Sequence, residues 1–496
     1  ASKSVRSETL ETETSLPNFR QGDAIILYER NRDTDNVTNK MVFKGNIEYL
    51  TENEIGIRLR ATQQNPSVLP AESLYAIEHD TMDTTFRSMY QGLYIYLSAR
   101  KERRDLLLSQ RPPRFDESLD SMISRSEDDF TRIALKAKAA QDYFLLIGPP
   151  GTGKTSCALK KMVETFHADK DAQILLLSYT NRAVDEICKS LASIAPAVDF
   201  IRVGSELSCD EAYRGHLIEN ELSSCNRRSE VYERIRNCRI IVGTVAAISG
   251  KPELFRLKHF DVAIIDEATQ ILEPQLLGIL CARGEDGKDA IDKFVLIGDH
   301  KQLPAVVQQN TEQSAIYDES LLSIGLTNLK DSLFERLYRN CTATVHRSYD
   351  MLCRQGRMHP EVALFANRAF YGGRLIPVGL PHQIESSDTI CRLAFYPSVP
   401  EKAGASAKIN YSEARIVADL AVRIYEDHQT DFDESRTLGI ITPYRSQIAL
   451  IKKEIESLGI PALNRILVDT VERFQGSERD VIIYSFCVNY PYQLKF

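Results

Sequence analysis

Short apolar runs separated by polar turns dominate residues 21–80, a pattern typical of antiparallel strands. Residues 1–20 are instead polar and rich in Ser, Thr and Glu, so we expect a flexible N-terminus there. The short runs predict an accessory β-barrel over residues 21–80. Its predicted strands are residues 23–28, 41–45, 54–59 and 73–77.

The apolar spacing becomes helical after the last of these runs. Apolar residues recur at intervals of three and four from Thr84 to about Ser109, until Pro112 and Pro113 interrupt the pattern. We therefore predict a helical stalk over residues 81–115. The apolar stripe consists of Phe86, Met89, Tyr90, Leu93, Tyr94 and Leu97.

From about Gln141 onward, apolar strands alternate with helical segments, which is the pattern of a parallel α/β sheet. A second alternating stretch begins near Arg392. We predict an α/β chain with domains at residues 116–330 and 331–496, after the barrel and stalk. The predicted strands are residues 144–147, 174–177, 240–242, 262–265, 294–297, 438–441, 466–468 and 481–486.

The composition is that of an ordinary globular protein, with 43% hydrophobic and 26% charged residues among 496. No run of 18 apolar residues occurs, so we expect no membrane span and an intracellular location, cytoplasmic or nuclear (or nucleoid). The net charge of −8 argues against a protein whose whole surface coats nucleic acid, but it allows a local basic channel. The ten cysteines have no C-x-x-C spacing, which favours reduced, buried thiols over zinc ligands.

One segment fits the Walker A phosphate loop and lies between an apolar strand and a predicted helix at residues 156–166. Backbone N–H groups of such a loop, together with the helix N-terminus, bind nucleotide phosphates. We predict that Lys154 reaches the β- and γ-phosphates of ATP and that Thr155 binds Mg²⁺. The predicted nucleotide-binding residues are Gly148, Pro149, Pro150, Gly151, Thr152, Gly153, Lys154, Thr155 and Ser156.

Two acids, Asp266 and Glu267, end the apolar strand at residues 262–265. We predict that Asp266 holds Mg²⁺ and that Glu267 polarises the attacking water. An acidic pair at a strand end is also compatible with a solvated turn or a helix N-cap, but the upstream phosphate loop favours the catalytic interpretation. Gln302, which follows the strand at residues 294–297, is a candidate contact to the γ-phosphate.

Several further segments resemble the superfamily 1B helicases, the branch that includes the nonsense-mediated-decay RNA helicase, senataxin and the replication nuclease-helicases. They follow the order of that family over about residues 140–485. The segments are 178–185 (SYTNRAVD), 242–245 (VGTV), 266–270 (DEATQ), 298–304 (GDHKQLP), 355–360 (QGRMHP), 442–447 (TPYRSQ) and 468–480 (VDTVERFQGSERD).

The resemblance implies two tandem RecA-like P-loop NTPase domains with ATP between them. It implies that Arg357 of the second domain contacts the γ-phosphate, where an arginine stabilises charge in the transition state. It also implies that Glu478 contacts the ribose or couples the two sites, and that nucleic acid is held through phosphates and riboses. Threonines at strand ends are also common helix caps. The residues implied along the nucleic-acid path are Thr180, Asn181, Thr244, Pro304, Thr442, Tyr444 and Thr470.

The chain departs from the family at three places. Gly356 stands where the family has an aromatic residue, and residues 126–134 contain no glutamine of the kind that reads adenine. We therefore expect base selectivity to be weak or to come from other residues. The last family motif, which carries a second arginine, would lie beyond Phe496, so we expect a C-terminally truncated second domain.

These features predict an ATP-dependent helicase or translocase that moves 5′→3′ on single-stranded nucleic acid and unwinds duplexes. We expect a monomer whose partner is single-stranded or partly duplex DNA or RNA. The alternative is a nucleic-acid-stimulated ATPase that acts as a switch or clamp without unwinding. The intact Lys154, Asp266 and Glu267 disfavour an ATP-independent binding module, and the second-domain motifs exclude a small-molecule P-loop kinase.

Overall fold

The structure, a computed structural model, describes most of the chain as two compact units. One unit is Met82–Leu393, and the other joins Ala1–Thr81 with Ala394–Phe496. The described residues are 4–6, 19, 22–51, 54–61, 65–80, 84–307, 309–344, 346–384, 392–401 and 407–494.

The N-terminal segment forms a five-stranded antiparallel sheet. Its strands are β1 Ser4–Arg6, β2 Ala24–Glu29, β3 Val42–Leu50, β4 Glu54–Leu59 and β5 Tyr75–His79. They are ordered β1-β4-β3-β2-β5, and Ile25, Leu27, Phe43 and Ile47 form a small core on one face. The described residues show no pairing between β1 and β5, so closure into a barrel stays a prediction.

The expected flexible N-terminus contains a strand, because β1 pairs with β4 and places Val5 opposite Ile55. A strand at Ser4–Arg6 differs from the flexible segment that the polar composition of residues 1–20 predicts. The other parts of that segment, residues 1–3, 7–18 and 20, lie outside the described residues.

A seven-stranded parallel sheet forms the centre of Met82–Leu393. Its strands are β6 Tyr143–Ile147, β7 Ile174–Ser178, β8 Phe200–Val203, β9 Ile240–Thr244, β10 Phe260–Ile265, β11 Ile291–Gly298 and β12 Tyr349–Met351. The order is β12-β6-β11-β10-β7-β9-β8. Successive residues of β6 enter two different cores, so both faces of the sheet are buried. A short parallel pair, β13 Arg354–Gln355 and β14 Ile376–Pro377, follows.

Helices cover both faces of this sheet. They are α1 Thr84–Leu97, α2 Lys101–Leu107, α3 Asp120–Arg125, α4 Asp129–Ala139, α5 Lys160–His167, α6 Asn181–Ala192, α7 Ile218–Glu221, α8 Arg228–Asn237, α9 Val245–Ser249, α10 Glu253–Leu257, α11 Glu273–Leu280, α12 Thr311–Ser314, α13 Glu319–Ser323, α14 Leu333–Ala343, α15 Pro360–Tyr371 and α16 Pro381–Ile384. One core takes side chains from α9, α11 and α14, and the other takes them from α4, α5 and α6. A π-helical turn, Lys154–Leu159, leads from the phosphate loop into α5.

The predicted stalk consists of two helices, α1 and α2, separated by residues 98–100. Helix α1 crosses α11 at a point where both helices have glycine. A Cβ atom at Gly92 would lie 2.3 Å from the carbonyl oxygen of Pro274, and one at Gly278 would lie 3.1 Å from the Cα atom of Gly92. The absence of side chains therefore allows these helices to approach closely.

The C-terminal segment contains a three-stranded parallel sheet, in which β15 (Leu438–Ile441) lies between β16 (Leu467–Asp469) and β17 (Val481–Tyr484). The elements are α17 Tyr411–Asp427, β15 Leu438–Ile441, α18 Arg445–Ser457, β16 Leu467–Asp469, α19 Val471–Phe474 and β17 Val481–Tyr484. Apolar residues of α17 and α18 pack against β15 and β16, including Ala421, Ile451 and Ile440. Among the described residues, no helix combines the length and apolar character that a membrane span requires.

The domain boundary predicted between residues 330 and 331 differs from the structure. Strand β12 lies beyond that boundary but pairs with β6, with Asp350 opposite Leu146. The unit that contains the seven-stranded sheet extends to Leu393. The sequence of β12 lacks the continuous apolar run that marks the inner strands, and this is the physical reason for the difference.

Candidate nucleotide-binding and catalytic site

The phosphate loop at residues 148–155 connects β6 to the π-helical turn, and its shape depends on glycine. Gly151 and Gly153 have φ values of 74° and 75°, in the left-handed region that side chains disfavour. A Cβ atom at Gly148 would lie 2.1 Å from the Cγ atom of Lys154. The loop therefore folds tightly around the Lys154 side chain. A loop of this shape can turn successive backbone N–H groups toward one anion, which is how a phosphate-binding nest is built.

Hydrogen bonds fix the loop at its start and across its middle. The Gly148 N–H donates to the carbonyl of Gly298 at the end of β11, at 3.0 Å. The Thr152 hydroxyl donates to the carbonyl of Pro149 at 2.7 Å, and Pro150 lies between these two residues. Ser156 follows the loop with an exposed side chain.

Two contacts join the loop to the acids at the end of β10. Lys154 Nζ donates to Glu267 Oε1 at 2.8 Å, and Thr155 Oγ1 donates to Asp266 Oδ2 at 2.5 Å. Asp266 is only 1% exposed. The structure thus brings together four residues predicted from two segments that are more than 110 positions apart in the sequence.

The electrostatics of this group favour an anionic ligand with a bound cation. Burial raises the pKa of Asp266, and the neighbouring Glu267 carboxylate raises it further. Burial alone would lower the pKa of Lys154, but the charges of Glu267 and Asp266 raise it overall, so the lysine stays cationic. The oxygen atoms of Thr155 and Asp266 converge at 2.5 Å, and such hard oxygen donors suit Mg²⁺.

Glu267 has an unusual backbone conformation, with φ 53° and ψ 37°. Such a conformation costs on the order of 1–3 kcal/mol for a residue with a side chain. Its Oε2 atom accepts a hydrogen bond from Gln270 Nε2 at 3.0 Å. The sequence motifs assign no role to Gln270; the signal that points to it is its spacing of three residues from the acid across a tight turn.

Gln302 lies just beyond β11 and is held by Asp299. Its Nε2 atom donates to Asp299 Oδ2 at 2.8 Å, and the backbone N–H of Lys301 donates to Asp299 Oδ1 at 3.0 Å. Asp299 is 1% exposed. The sequence places Asp299 in the segment at residues 298–304 but gives it no role, so its anchoring of Gln302 is a structural finding.

Arg357 lies in the same unit as the phosphate loop, which differs from the expectation that the second domain contributes it. The N–H of Gly356 donates to the carbonyl of Gly151 at 2.9 Å. A Cβ atom at Gly151 would lie 2.4 Å from the Cβ atom of Arg357. The Gln355 side chain accepts from the Arg357 N–H at 3.0 Å and closes the turn. The segment is carried to the loop by β12, which pairs with β6.

Four of the predicted nucleic-acid contacts follow carboxyl ends of strands in the seven-stranded sheet. Thr180 and Asn181 follow β7, Thr244 ends β9, and the exposed Pro304 comes after β11. The hydroxyls of Thr180 and Thr244 accept hydrogen bonds, at 3.2 and 3.1 Å, from N–H groups in the first turns of α6 and α9. Both threonines are therefore helix caps, and contact of this group with nucleic acid stays a prediction.

The remaining predicted residues belong to the C-terminal sheet. Thr442 is fully buried, and its Oγ1 atom has no hydrogen-bond partner among the described residues. Its side chain is therefore closed off in the structure, and its contact with nucleic acid stays a prediction. The Tyr444 hydroxyl accepts from Gln493 at 3.2 Å, Thr470 follows β16 and is half-buried, and Glu478 is exposed.

Known proteins resemble the chain over most of its length. Two family profiles match the chain, and each is described as an AAA domain. One matches residues 125–231 and 218–310, and the other matches residues 329–491. The DNA replication ATP-dependent helicase/nuclease JHS1 of Arabidopsis thaliana is 27% identical over 97% of the chain. The DNA replication ATP-dependent helicase/nuclease DNA2 of Homo sapiens is 27% identical over 95% of it. The profiles and these relatives together indicate a superfamily 1B helicase.

This superfamily 1B helicase spans 36% of the length of JHS1 and 45% of the length of human DNA2. The DNA polymerase alpha-associated DNA helicase A of Saccharomyces cerevisiae is 23% identical over 82% of the chain and 67% of its own length. The predicted family resemblance is confirmed. The predicted α/β fold with a parallel sheet is also confirmed.

Proposed function

We propose that this chain hydrolyses ATP and uses the released free energy to move 5′→3′ along single-stranded DNA and to unwind duplexes. The observation that carries the proposal is the pairing of Lys154 with Glu267 and of Thr155 with Asp266 at the phosphate loop. Phosphoryl transfer to water needs a cation at the phosphates and a carboxylate that orients the water, and both are within reach of the loop.

In the proposed reaction, the phosphates of ATP compete with Glu267 for the Lys154 ammonium group. The released carboxylate then accepts a proton from the attacking water, while Gln270 holds its second oxygen. The water oxygen bonds to the γ-phosphorus as the bond from that phosphorus to the bridging oxygen breaks, which leaves ADP and inorganic phosphate. Gln302 contacts the γ-phosphate, and Arg357 stabilises the developing negative charge. Thr155 and Asp266 would hold Mg²⁺, which supplies neutralising charge at the phosphates.

The proposed strand path uses residues that contact the nucleic-acid backbone and ignore base identity, which suits a motor that steps over any sequence. DNA is proposed as the track because the relatives are named as DNA replication helicase/nucleases and as a DNA helicase. The same names favour action in the nucleus, and we propose that the chain acts as a monomer. The path is proposed to include Thr180, Asn181, Thr244, Pro304, Tyr444 and Thr470, with Glu478 at the ribose of ATP.

The first test is steady-state ATP hydrolysis by the full chain while matched single-stranded DNA or RNA is titrated in. We expect stimulation by DNA of about tenfold or more, and we expect Glu267→Gln to lower kcat by roughly 10²- to 10⁴-fold. The variant should still bind ATP, because Lys154 and the loop are unchanged. Hydrolysis that persists undiminished in Glu267→Gln would contradict the proposed site.

The second test is displacement of a labelled strand from duplexes that carry a 5′ or a 3′ single-stranded tail. Unwinding of only the 5′-tailed duplex supports 5′→3′ movement. Stimulated hydrolysis without displacement on either substrate would instead support a switch or clamp. Lys154→Ala serves as the matched control, because loss of the loop cation should abolish both activities.

A further inference from the structure

The carboxylate of Asp299 is a buried junction that three donors share. Its Oδ1 atom accepts from the Lys301 N–H, and its Oδ2 atom accepts from Gln302 Nε2 at 2.8 Å and from the Tyr371 hydroxyl at 2.7 Å. Because the residue is 1% exposed, water does not replace a lost donor easily. The orientation of Gln302 therefore depends on how this carboxylate is held.

Tyr371 approaches Asp299 from a different part of the chain. It is the last residue of α15, the helix that begins directly after Arg357, Met358 and His359. Tyr371 is 5% exposed, and the left-handed Gly372 stops the helix immediately after it. Burial and the charge of Asp299 raise the pKa of the Tyr371 hydroxyl, so it stays protonated and acts as the donor.

We infer that Tyr371 is a positioning residue for hydrolysis, which holds Gln302 through Asp299 and connects it to the helix that follows Arg357. This inference rests on the proposed function, in which Gln302 contacts the γ-phosphate. The side-chain amide nitrogen of Gln302 carries two hydrogens. One of them donates a hydrogen bond to Asp299, and the other is available to donate to the phosphate. Without the tyrosine hydroxyl, Asp299 Oδ2 keeps only the Gln302 amide as a donor, so the carboxylate is held less firmly and the amide is oriented less firmly with it.

Helix α15 is attached near the candidate site at both of its ends. The turn before α15 is attached to the phosphate loop through the bond from the Gly356 N–H to the Gly151 carbonyl, at 2.9 Å. The end of α15 is attached to the residue that anchors Gln302. One helix thus connects the turn that carries Arg357 with the residue that holds Gln302. The positions of the two groups proposed to face the γ-phosphate are therefore linked.

The test is a double-mutant cycle on steady-state ATP hydrolysis in the presence of saturating single-stranded DNA. Tyr371→Phe removes only the hydroxyl, and we expect it to lower kcat by roughly five- to tenfold while KM for ATP changes by less than about twofold. In a Gln302→Ala background, the same change should lower kcat by less than about 1.5-fold, because the group it positions is gone. Tyr143→Phe, which removes another buried tyrosine hydroxyl of the same unit, is the matched control and should leave kcat unchanged.

Several outcomes would overturn the inference. An equal loss of kcat in both backgrounds would show that Tyr371 acts independently of Gln302, and an unchanged kcat for Tyr371→Phe would show that its hydroxyl is dispensable. If Tyr371→Phe lowers the melting temperature too far for assay, Asp299→Asn takes its place and must show the same non-additivity with Gln302→Ala. Glu267→Gln separates a failure of this inference from a failure of the proposed function. If Glu267→Gln abolishes hydrolysis but the double-mutant cycle shows no coupling, only the role of Tyr371 is overturned.

Discussion

At the scale of single residues, Glu267 is held in an unfavourable conformation next to the cation with which it pairs. Its φ of 53° costs about 1–3 kcal/mol relative to an ordinary backbone conformation. Contacts from Lys154 and Gln270 fix both carboxylate oxygens despite that cost. When ATP draws Lys154 away, as proposed, Gln270 still holds one carboxylate oxygen, so the acid loses little further conformational freedom when it orients a water molecule.

Gly151→Ala should weaken nucleotide binding while the protein stays folded. The alanine would be strained at φ 74°, and its Cβ atom would lie 2.4 Å from that of Arg357. We expect about tenfold weaker binding of a fluorescent ATP analogue, equal to roughly 1.4 kcal/mol. Gly215→Ala is the control, because no atom lies within 4 Å of a Cβ atom there. Unchanged binding by Gly151→Ala would mean that the loop tolerates displacement of Arg357.

Asp142 makes a pH-dependent contribution to stability. Burial alone would raise its pKa, but hydrogen bonds from Arg111 and Arg114 hold the pKa well below the ordinary value for an aspartate. An unfolded aspartate titrates near about 3.9, so below that pH the unfolded state binds more protons than the folded state. The stabilisation by Asp142 is therefore complete above about pH 5 and is lost as the pH falls towards the folded pKa.

We accordingly expect Asp142→Asn to lower the free energy of unfolding by about 1–3 kcal/mol at pH 7. The difference from the unmodified protein should shrink steadily between about pH 4 and pH 3. Urea unfolding at these three pH values measures it, and Asp171→Asn, at an exposed position, is the matched control. A difference that stays constant with pH would contradict the ion-pair assignment.

At the scale of elements, helix α1 crosses α11, the helix that follows Asp266 and Glu267. Gly92→Ala should force the helices apart, because the added carbon would lie 2.3 Å from the carbonyl oxygen of Pro274. We expect a loss of about 1–3 kcal/mol in stability, seen as a melting temperature several degrees lower. Gly250→Ala is the control, since its nearest atom would lie at 3.5 Å. Equal melting temperatures for the two variants would argue against close packing at this crossing.

The inner strands of the large sheet are predictable because both of their faces are buried, which gives continuous apolar runs. The two edge strands, β8 and β12, are absent from the prediction. β8 contains the buried Arg202, which pairs with Asp185, and β12 contains Asp350, which pairs with Lys136. These charges interrupt the apolar pattern, and this is why the prediction assigns neither segment to the sheet.

Within the candidate site, local motifs identify the residues of the phosphate loop and the two acids. The supporting contacts depend on the folded chain and have no local pattern. Tyr371 is 72 residues from Asp299, and nothing in the sequence near either one indicates that they meet. Gln270 and Asp299 lie inside recognisable segments, but a motif does not state which of its polar residues face one another.

At the scale of the whole molecule, the residues proposed for hydrolysis belong to one continuous stretch. Lys154, Asp266, Glu267, Gln302 and Arg357 all lie in the unit Met82–Leu393. The proposed strand contacts are instead divided, because Tyr444 and Thr470 belong to the other unit. The proposed hydrolysis residues can therefore be tested within one unit, whereas the proposed strand contacts are divided between the two units and Glu478 belongs to the second.

Residues 82–393 alone should fold and bind ATP within about threefold of the affinity of the full chain. Both large cores are built from residues inside this stretch, so excision leaves their buried apolar surface intact. Single-stranded DNA should stimulate its ATP hydrolysis by less than about twofold, because two of the six proposed strand contacts, Tyr444 and Thr470, are gone. Fluorescent-nucleotide titration and steady-state hydrolysis measure the two properties, with Lys154→Ala in the same fragment as control. Full stimulation of the fragment by DNA would place the coupling entirely within Met82–Leu393 and remove the need for a second strand-binding unit.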